Sequence, residues 1–231
     1  MLPANLGSVA RASKNFGVRD VRLIEPAAPV NEDSHRLASG ANDVLEAMRR
    51  FPSLPLAVAD FQAVVATSSL RGRGRRKALG LSELPAFLQG LPRARVALVF
   101  GPEKSGLTEE EMSHASVFLR LPTEPDFPTL NVSHAVAVAL AASRLAGEGN
   151  GAGRQEPLAL AKAEEIEGAI GHWDRALDAI GFYDTGHRDR TLRDWRRIVA
   201  GRPLSERDVK ILRGVANRVL VSLRRKGRVD R

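Results

Sequence analysis

The sequence predicts an α/β sheet with helices on both faces, followed by a small all-helical extension. Over residues 1–150, short apolar runs of strand length alternate with longer stretches of helical period. The run GEGNGAG, Gly147 to Gly153, then places four glycines in seven residues with nothing to pack, which reads as a linker. Beyond it no strand-like run appears, and three amphipathic segments follow.

The first helix is expected over 6–16, with Gly17 just past its end. Strands are expected at Val21–Ile24, Ala63–Ala66, Val96–Phe100 and Val117–Leu121, each a short apolar run of strand length. Helices are expected at 34–50, 108–115 and 131–146, and Thr108 with Glu111 forms a capping box that opens the 108–115 element. In the extension the segments are 158–180, 189–200 and 205–226. The last opens on Ser205 with Asp208 and carries Leu212, Val215, Val219 and Leu223 as its apolar stripe. The expected organisation is therefore a unit over 1–149, a linker over 150–157 and a helical extension over 158–231.

Composition narrows the function classes. A chain of 231 residues accommodates one large domain or two unequal ones. Its lack of cysteine excludes disulfides, zinc thiolates, iron-sulfur clusters and thiol catalysis. No apolar run approaches the roughly 20 residues that span a bilayer, and no basic-then-apolar leader is visible, so the expected compartment is the cytoplasm. The formal charge of +8 favours a polyanionic partner. It is uneven: residues 1–150 hold 17 basic and 15 acidic residues, and 151–231 hold 18 and 12.

Several chemistries lack their residues. The five histidines, His35, His114, His134, His172 and His187, show no metal-binding spacing, and no G-x-S-x-G elbow is present. Gly101 to Gly106 begins like a P-loop, but Leu107 stands where the phosphate-binding lysine is required. No G-x-G-x-x-G follows a strand.

Three marked segments remain. Asn5-Leu-Gly-Ser-Val-Ala-Arg11-Ala-Ser-Lys-Asn15 is a helix that puts Ser8, Arg11 and Asn15 on one polar face. Phe100-Gly-Pro-Glu103-Lys-Ser-Gly106-Leu follows a buried strand. Leu121-Pro-Thr-Glu-Pro-Asp-Phe-Pro-Thr129-Leu-Asn131-Val-Ser-His is a loop with three prolines that stops at a helix N-terminus. Two of these lie at the carboxyl ends of strands, where open α/β sheets bind ligands.

In order and spacing the three segments resemble the signature motifs of the SPOUT-class RNA ribose 2'-O-methyltransferases, the TrmH superfamily, across roughly residues 3–146. Within it the chain is most similar to the TrmJ group of tRNA cytidine/uridine methyltransferases, since GHWDRALDAIGF (171–182) and DVKILRG (208–214) look like pieces of that group's helical extension. The resemblance implies a mostly parallel sheet ending in a deep trefoil knot, S-adenosylmethionine as cofactor, a homodimer whose sites draw on both chains, and tRNA as substrate. It implies modification of a cytidine or uridine at the first anticodon-loop nucleotide. Ribosomal RNA as substrate, and a catalytically silent RNA-binding protein, stay open as alternatives. The family carries a complete strand before its first motif, and only four residues precede Asn5, so either the true start lies upstream or the sheet lacks its first strand.

Carried over residue by residue, the resemblance makes Asn5, Arg11, Glu103 and Asn131 the catalytic set, with Thr129 where many members have serine. It assigns cofactor contacts to Thr67, Ser68, Ser69, Gly101, Leu121, Pro128, Thr129 and Leu130, largely through backbone groups. No metal is implied. A lone arginine on a helix face is ordinarily a solvated charge, and the joint match of three motifs reverses that reading for Arg11. A guanidinium is a poor base, so Arg11 is expected chiefly to steady the target phosphate and the developing alkoxide, with Asn5 and Asn131 orienting it and Glu103 fixing neighbouring donors. Arg71, Arg73, Arg75, Arg76 and Lys77 read either as a solvated loop or, as favoured here, as a phosphate-contacting one. In the extension Arg193, Arg196 and Arg197 are expected on tRNA backbone, with Trp195 as a packing residue.

Overall fold

The computed structural model describes residues 2–68, 78–91, 93–103, 105–148, 159–183, 187–199 and 203–225. Ser69, Arg71, Arg73, Arg75, Arg76, Lys77 and the expected linker 150–157 lie outside them. Among the described residues, no helix is long and apolar enough to cross a membrane.

In chain order the elements are α1 (Pro3–Asn15), β1 (Arg22–Ile24), α2 (Glu32–Ala38), α3 (Asn42–Glu46), β2 (Arg49–Phe51), α4 (Leu54–Val58), β3 (Ala63–Thr67) and β4 (Ala78–Gly80). A 3-10 turn over Leu81–Glu83 leads into α5 (Leu84–Gln89), β5 (Val96–Val99), α6 (Glu109–Ser113), β6 (Val117–Arg120) and α7 (Val132–Glu148). The extension holds α8 (Ala163–Ala179), α9 (Arg188–Val199) and α10 (Glu206–Arg225).

The strands form a four-stranded sheet in the order β4-β6-β3-β5 and a two-stranded sheet of β1 and β2, every pair parallel. Strand alternation splits the core in two. Val64 and Ala66 of β3 join Ala97, Val99 and Phe118 against Leu54 and Val58 of α4, while Val65 joins Leu79, Val117 and Leu119 against Ala139 and Ala142 of α7. Buried on both faces, β3 is a continuous apolar run of the kind parallel sheets require. Helix α1 lies over the second face with α7, through Val9, Ala12, Val132, Val136 and Leu140.

The helix expected over 34–50 is instead three elements. Ser39 (φ 26°) and Gly40 (φ 80°) leave helical space and end α2, α3 follows, and Arg49–Phe51 pairs with β1 as β2. Strands β2 and β4 and helices α4 and α5 have no counterpart in the expected set. The caps are where the sequence puts them: Thr108 Oγ1 accepts from Glu111 N at 3.1 Å, and Ser205 Oγ from Asp208 N at 3.1 Å.

The extension is tied to the sheet unit and to itself. Ala163 N donates to Phe61 O (2.7 Å) and Glu164 N to Ala59 O (3.0 Å). A bridge between Leu160 and Ser205 sets the starts of α8 and α10 side by side.

Candidate active site

Two of the three marked segments and the Thr67–Ser68 pair leave one edge of the sheet. Thr67 ends β3 and Ser68 follows it, Phe100–Leu107 follows β5 and Leu121–Asn131 follows β6, and these strands are neighbours in the order β6-β3-β5. Their parallel direction brings all three carboxyl ends together, the position at which open α/β sheets hold ligands.

Asn5, Glu103 and Asn131, separated by up to 126 residues in sequence, close a hydrogen-bonded ring there. Asn5 Nδ2 donates to Glu103 Oε1 at 2.6 Å, and Asn131 Nδ2 donates to Asn5 Oδ1 at 3.1 Å. Glu103 Oε1 also accepts from Val132 N at 3.4 Å, the first amide of α7. Asn131 Oδ1 caps the same helix, accepting from Ser133 N at 2.8 Å and Ser133 Oγ at 2.7 Å. A carboxylate at the start of a 17-residue helix meets the positive end of its dipole. Asn5 and Ser133 are buried, which makes each of these bonds costly to lose. Ser133 is the residue that sequence reasoning missed. The triplet Asn131-Val-Ser133 at a helix start is the signal that could have found it.

Arg11 stands apart from this ring. It is exposed on α1, and among the described residues no hydrogen bond joins it to Asn5 or Asn131. The asparagines therefore fix the helix ends and each other, and the guanidinium is left facing solvent.

Thr67 and Gly101 are less open than expected. Thr67 Oγ1 donates to Val99 O (3.1 Å) and Ser68 N to Leu119 O (3.1 Å), so these groups knit the strand ends. A Cβ at Gly101 would lie 2.5 Å from Gly106 C and Leu107 N, so its missing side chain lets the Glu103 loop fold back on itself. Leu121, Pro128 and Leu130 are half-buried and Thr129 is exposed. Among the described residues the backbone of Thr129 and Leu130 enters no loop or turn hydrogen bond. Apolar side chains beside such amides and carbonyls at the strand ends fit a nucleoside ligand.

In the extension, the structure separates the three arginines expected on RNA. Arg196 Nε bonds both oxygens of Glu167 at 3.1 Å, and Arg197 pairs with Asp194 at 3.1 Å. Glu167 also meets His114 Nδ1 of the sheet unit at 3.1 Å, and a small cleft lined by Pro55, Val58, Ser113, His114 and Glu167 marks this seam. Burial raises the Glu167 carboxyl, but His114 and Arg196 more than offset it and hold it below its ordinary range. Arg196 is thus part of the seam between extension and sheet unit. Trp195 stacks on Trp173 at 5.2 Å, a packing role as expected.

Residues 2–141 match the SpoU rRNA Methylase family, and residues 164–228 match the C-terminal domain of tRNA methyltransferase TrmJ. The chain belongs to the TrmJ branch of the SpoU methylases. It is similar to the tRNA (cytidine/uridine/adenosine-2'-O-)-methyltransferase TrmJ of Pseudomonas aeruginosa, at 32% identity over 92% of this chain and 88% of that one. The crystal structure of TrmJ from Z. mobilis ZM4 superposes with a TM-score of 0.82 at 30% identity, covering 94% of each chain. A structure described for 2-OH methylation of C/U34 on tRNA matches 64% of this chain and 91% of its own, with a TM-score of 0.50 at 26% identity. The chain is accordingly an RNA 2'-O-methyltransferase.

Proposed function

We propose that this enzyme transfers the methyl group of S-adenosylmethionine to the ribose 2'-hydroxyl of a cytidine or uridine in tRNA, at the first nucleotide of the anticodon loop. The observation that carries the reading is the closed ring of Asn5, Glu103 and Asn131 at the carboxyl edge of three parallel strands. The tRNA substrate is supported by the similarity to TrmJ over both the sheet unit and the extension. A mark within the anticodon is the second reading, favoured by the C/U34 structure, and ribosomal RNA is favoured by the SpoU family description.

The cofactor, when bound, supplies an electrophilic methyl carbon on a sulfonium, so the chain's task is to align the 2'-oxygen and stabilise charge. The backbone of Leu121 and of Pro128 to Leu130, together with Thr67, Ser68, Ser69 and Gly101, would hold the nucleoside. The Asn5–Glu103–Asn131 ring keeps the Glu103 loop and the start of α7 in register. Arg11, exposed and free of the ring, steadies the target phosphate and the negative charge that builds on the 2'-oxygen as its proton passes to water. The basic run Arg71 to Lys77, with Arg193, contacts RNA backbone. The active form is a homodimer whose sheet unit carries the trefoil knot. Val138 and Leu145, seven apart on one face of α7 and 37% and 57% exposed, support such a covered face.

Arg11→Ala tests the assignment. Methyl transfer to a tRNA transcript should be abolished while calorimetric binding of S-adenosylmethionine stays near wild type. Retained turnover removes Arg11 from the mechanism.

A further inference from the structure

With Arg196 and Arg197 committed to intramolecular pairs, another face of the extension brings together cations that pair with no carboxylate among the described residues. On α8, Gly168, His172 and Arg175 are four and three residues apart and share one side, beside Arg213 of α10. Glycine at 168 makes the arrangement possible: a Cβ there would lie 2.3 Å from Arg213 Nη2. The guanidinium therefore lies across the α8 backbone, and Nη2 donates to Glu165 O at 3.1 Å. Arg175 folds back toward Gly171, whose added Cβ would sit 3.8 Å from Nη1.

Two polar atoms in this notch, His172 Nδ1 and Arg213 Nε, are buried without a hydrogen-bond partner among the described residues. The carboxylates of both helices are engaged elsewhere. Glu164 and Glu165 meet Lys162, Glu167 holds the seam, and Asp174 bonds Tyr183 and Arg188, which also approaches Asp178. On α10, Glu206 meets Lys210 and Asp208 meets Ser205. Desolvation, then Arg175 and Arg213, hold His172 below its ordinary pKa. His172, Arg175 and Arg213, gathered on one side of α8 with no carboxylate paired to them, form a set suited to an anion with several acceptor oxygens.

We propose that the notch formed by His172, Arg175 and Arg213 is a binding site for a backbone phosphate of the tRNA, and that it, rather than the outer face of α9, is the extension's main RNA contact. This rests on the tRNA reading above. Guanidinium forks and an imidazole N–H match phosphate oxygens, and such contacts position RNA without reading its bases.

The test uses the full chain and an unmodified tRNA transcript in filter binding across a potassium chloride series. His172→Gln with Arg175→Gln should weaken binding about tenfold at low salt and lower the slope of log affinity against log salt by about one. Arg175→Lys should keep most of the affinity, and S-adenosylmethionine binding should be unchanged in all variants. If the double variant loses helix content by circular dichroism, the exposed Arg175→Gln alone decides, with a severalfold loss expected. Wild-type affinity and slope in the variants overturn the notch and leave the tRNA reading intact. A wild-type chain that binds tRNA without salt dependence, or not at all, overturns both.

Discussion

Glu103 is the residue on which most of the candidate site turns, because one carboxylate oxygen serves both Asn5 and the start of α7. Glu103→Ala removes a hydrogen bond to a charged group and a contribution to the helix cap, and should cost about 2 kcal/mol in urea unfolding. Glu103→Gln keeps an acceptor for Asn5 and should lose less. Both should lower methyl transfer, since the Glu103 loop and the start of α7 lose their register. An alanine variant with wild-type stability would mean that the ring is incidental. The three family motifs made Asn5, Glu103 and Asn131 readable in the sequence, because their residue types and order are specific. That they bond one another rather than Arg11 was not readable, since it depends on how α1 crosses the strand ends. The same holds for Arg196: its charge is visible in sequence, but Glu167 as its partner depends on the fold.

At the scale of elements, the close crossing of α1 and α2 shows how a single small residue sets helix packing. A Cβ at Gly7 would lie 2.0 Å from Ser34 O, a backbone atom that cannot swing away, while Ser34 Oγ donates to Pro3 O at 2.8 Å. Gly7→Ala should therefore destabilise the chain by about 2 kcal/mol, although alanine is the better helix former. A melting temperature at or above wild type would contradict this crossing. Strands β3 and β6 were legible as apolar runs because they are buried inside the sheet, and β5 because the half-buried Val96 and Leu98 alternate with buried Ala97 and Val99. Strand β2 was not, because Arg49 and Arg50 are exposed on an edge and break the apolar pattern. The expected helix overruns α2 because the apolar pattern resumes at Val44 and Leu45 beyond the stop at Ser39–Gly40, although Gly40 carries the same mark as Gly17.

For the molecule as a whole, the two sheets are joined by charge as well as by apolar contact. Arg22, 9% exposed, pairs with Asp20 at 2.7 Å and Asp60 at 2.5 Å, and stacks over Phe61 at 4.5 Å. Arg95 completes the cluster by pairing with both carboxylates. Arg22 holds Asp60 far below the usual carboxylate range, with help from Arg95, and Arg22 and Arg49 lower Asp20. A depressed carboxylate stabilises the fold above its unfolded pKa of about 3.9 and loses that contribution as pH falls toward its folded value. Unfolding free energy should thus fall between about pH 4 and pH 2, and Asp60→Asn should flatten that fall. An unchanged slope would remove the cluster from the stability account.

The charge asymmetry visible in the sequence takes a specific form at this scale. Among the described residues Arg188, Arg196 and Arg197 pair with the extension's own carboxylates, which leaves a smaller set of cations to meet RNA. The central claim is that this edge of the sheet methylates a tRNA ribose. Its most direct test incubates the full chain with a tRNA transcript and tritiated S-adenosylmethionine, followed by alkaline hydrolysis and mapping of the label. The account predicts label in an alkali-resistant dinucleotide whose 5' member is a cytidine or uridine from the start of the anticodon loop. Label on a base, in an alkali-cleavable nucleotide, or absent from tRNA while present in ribosomal RNA would contradict it.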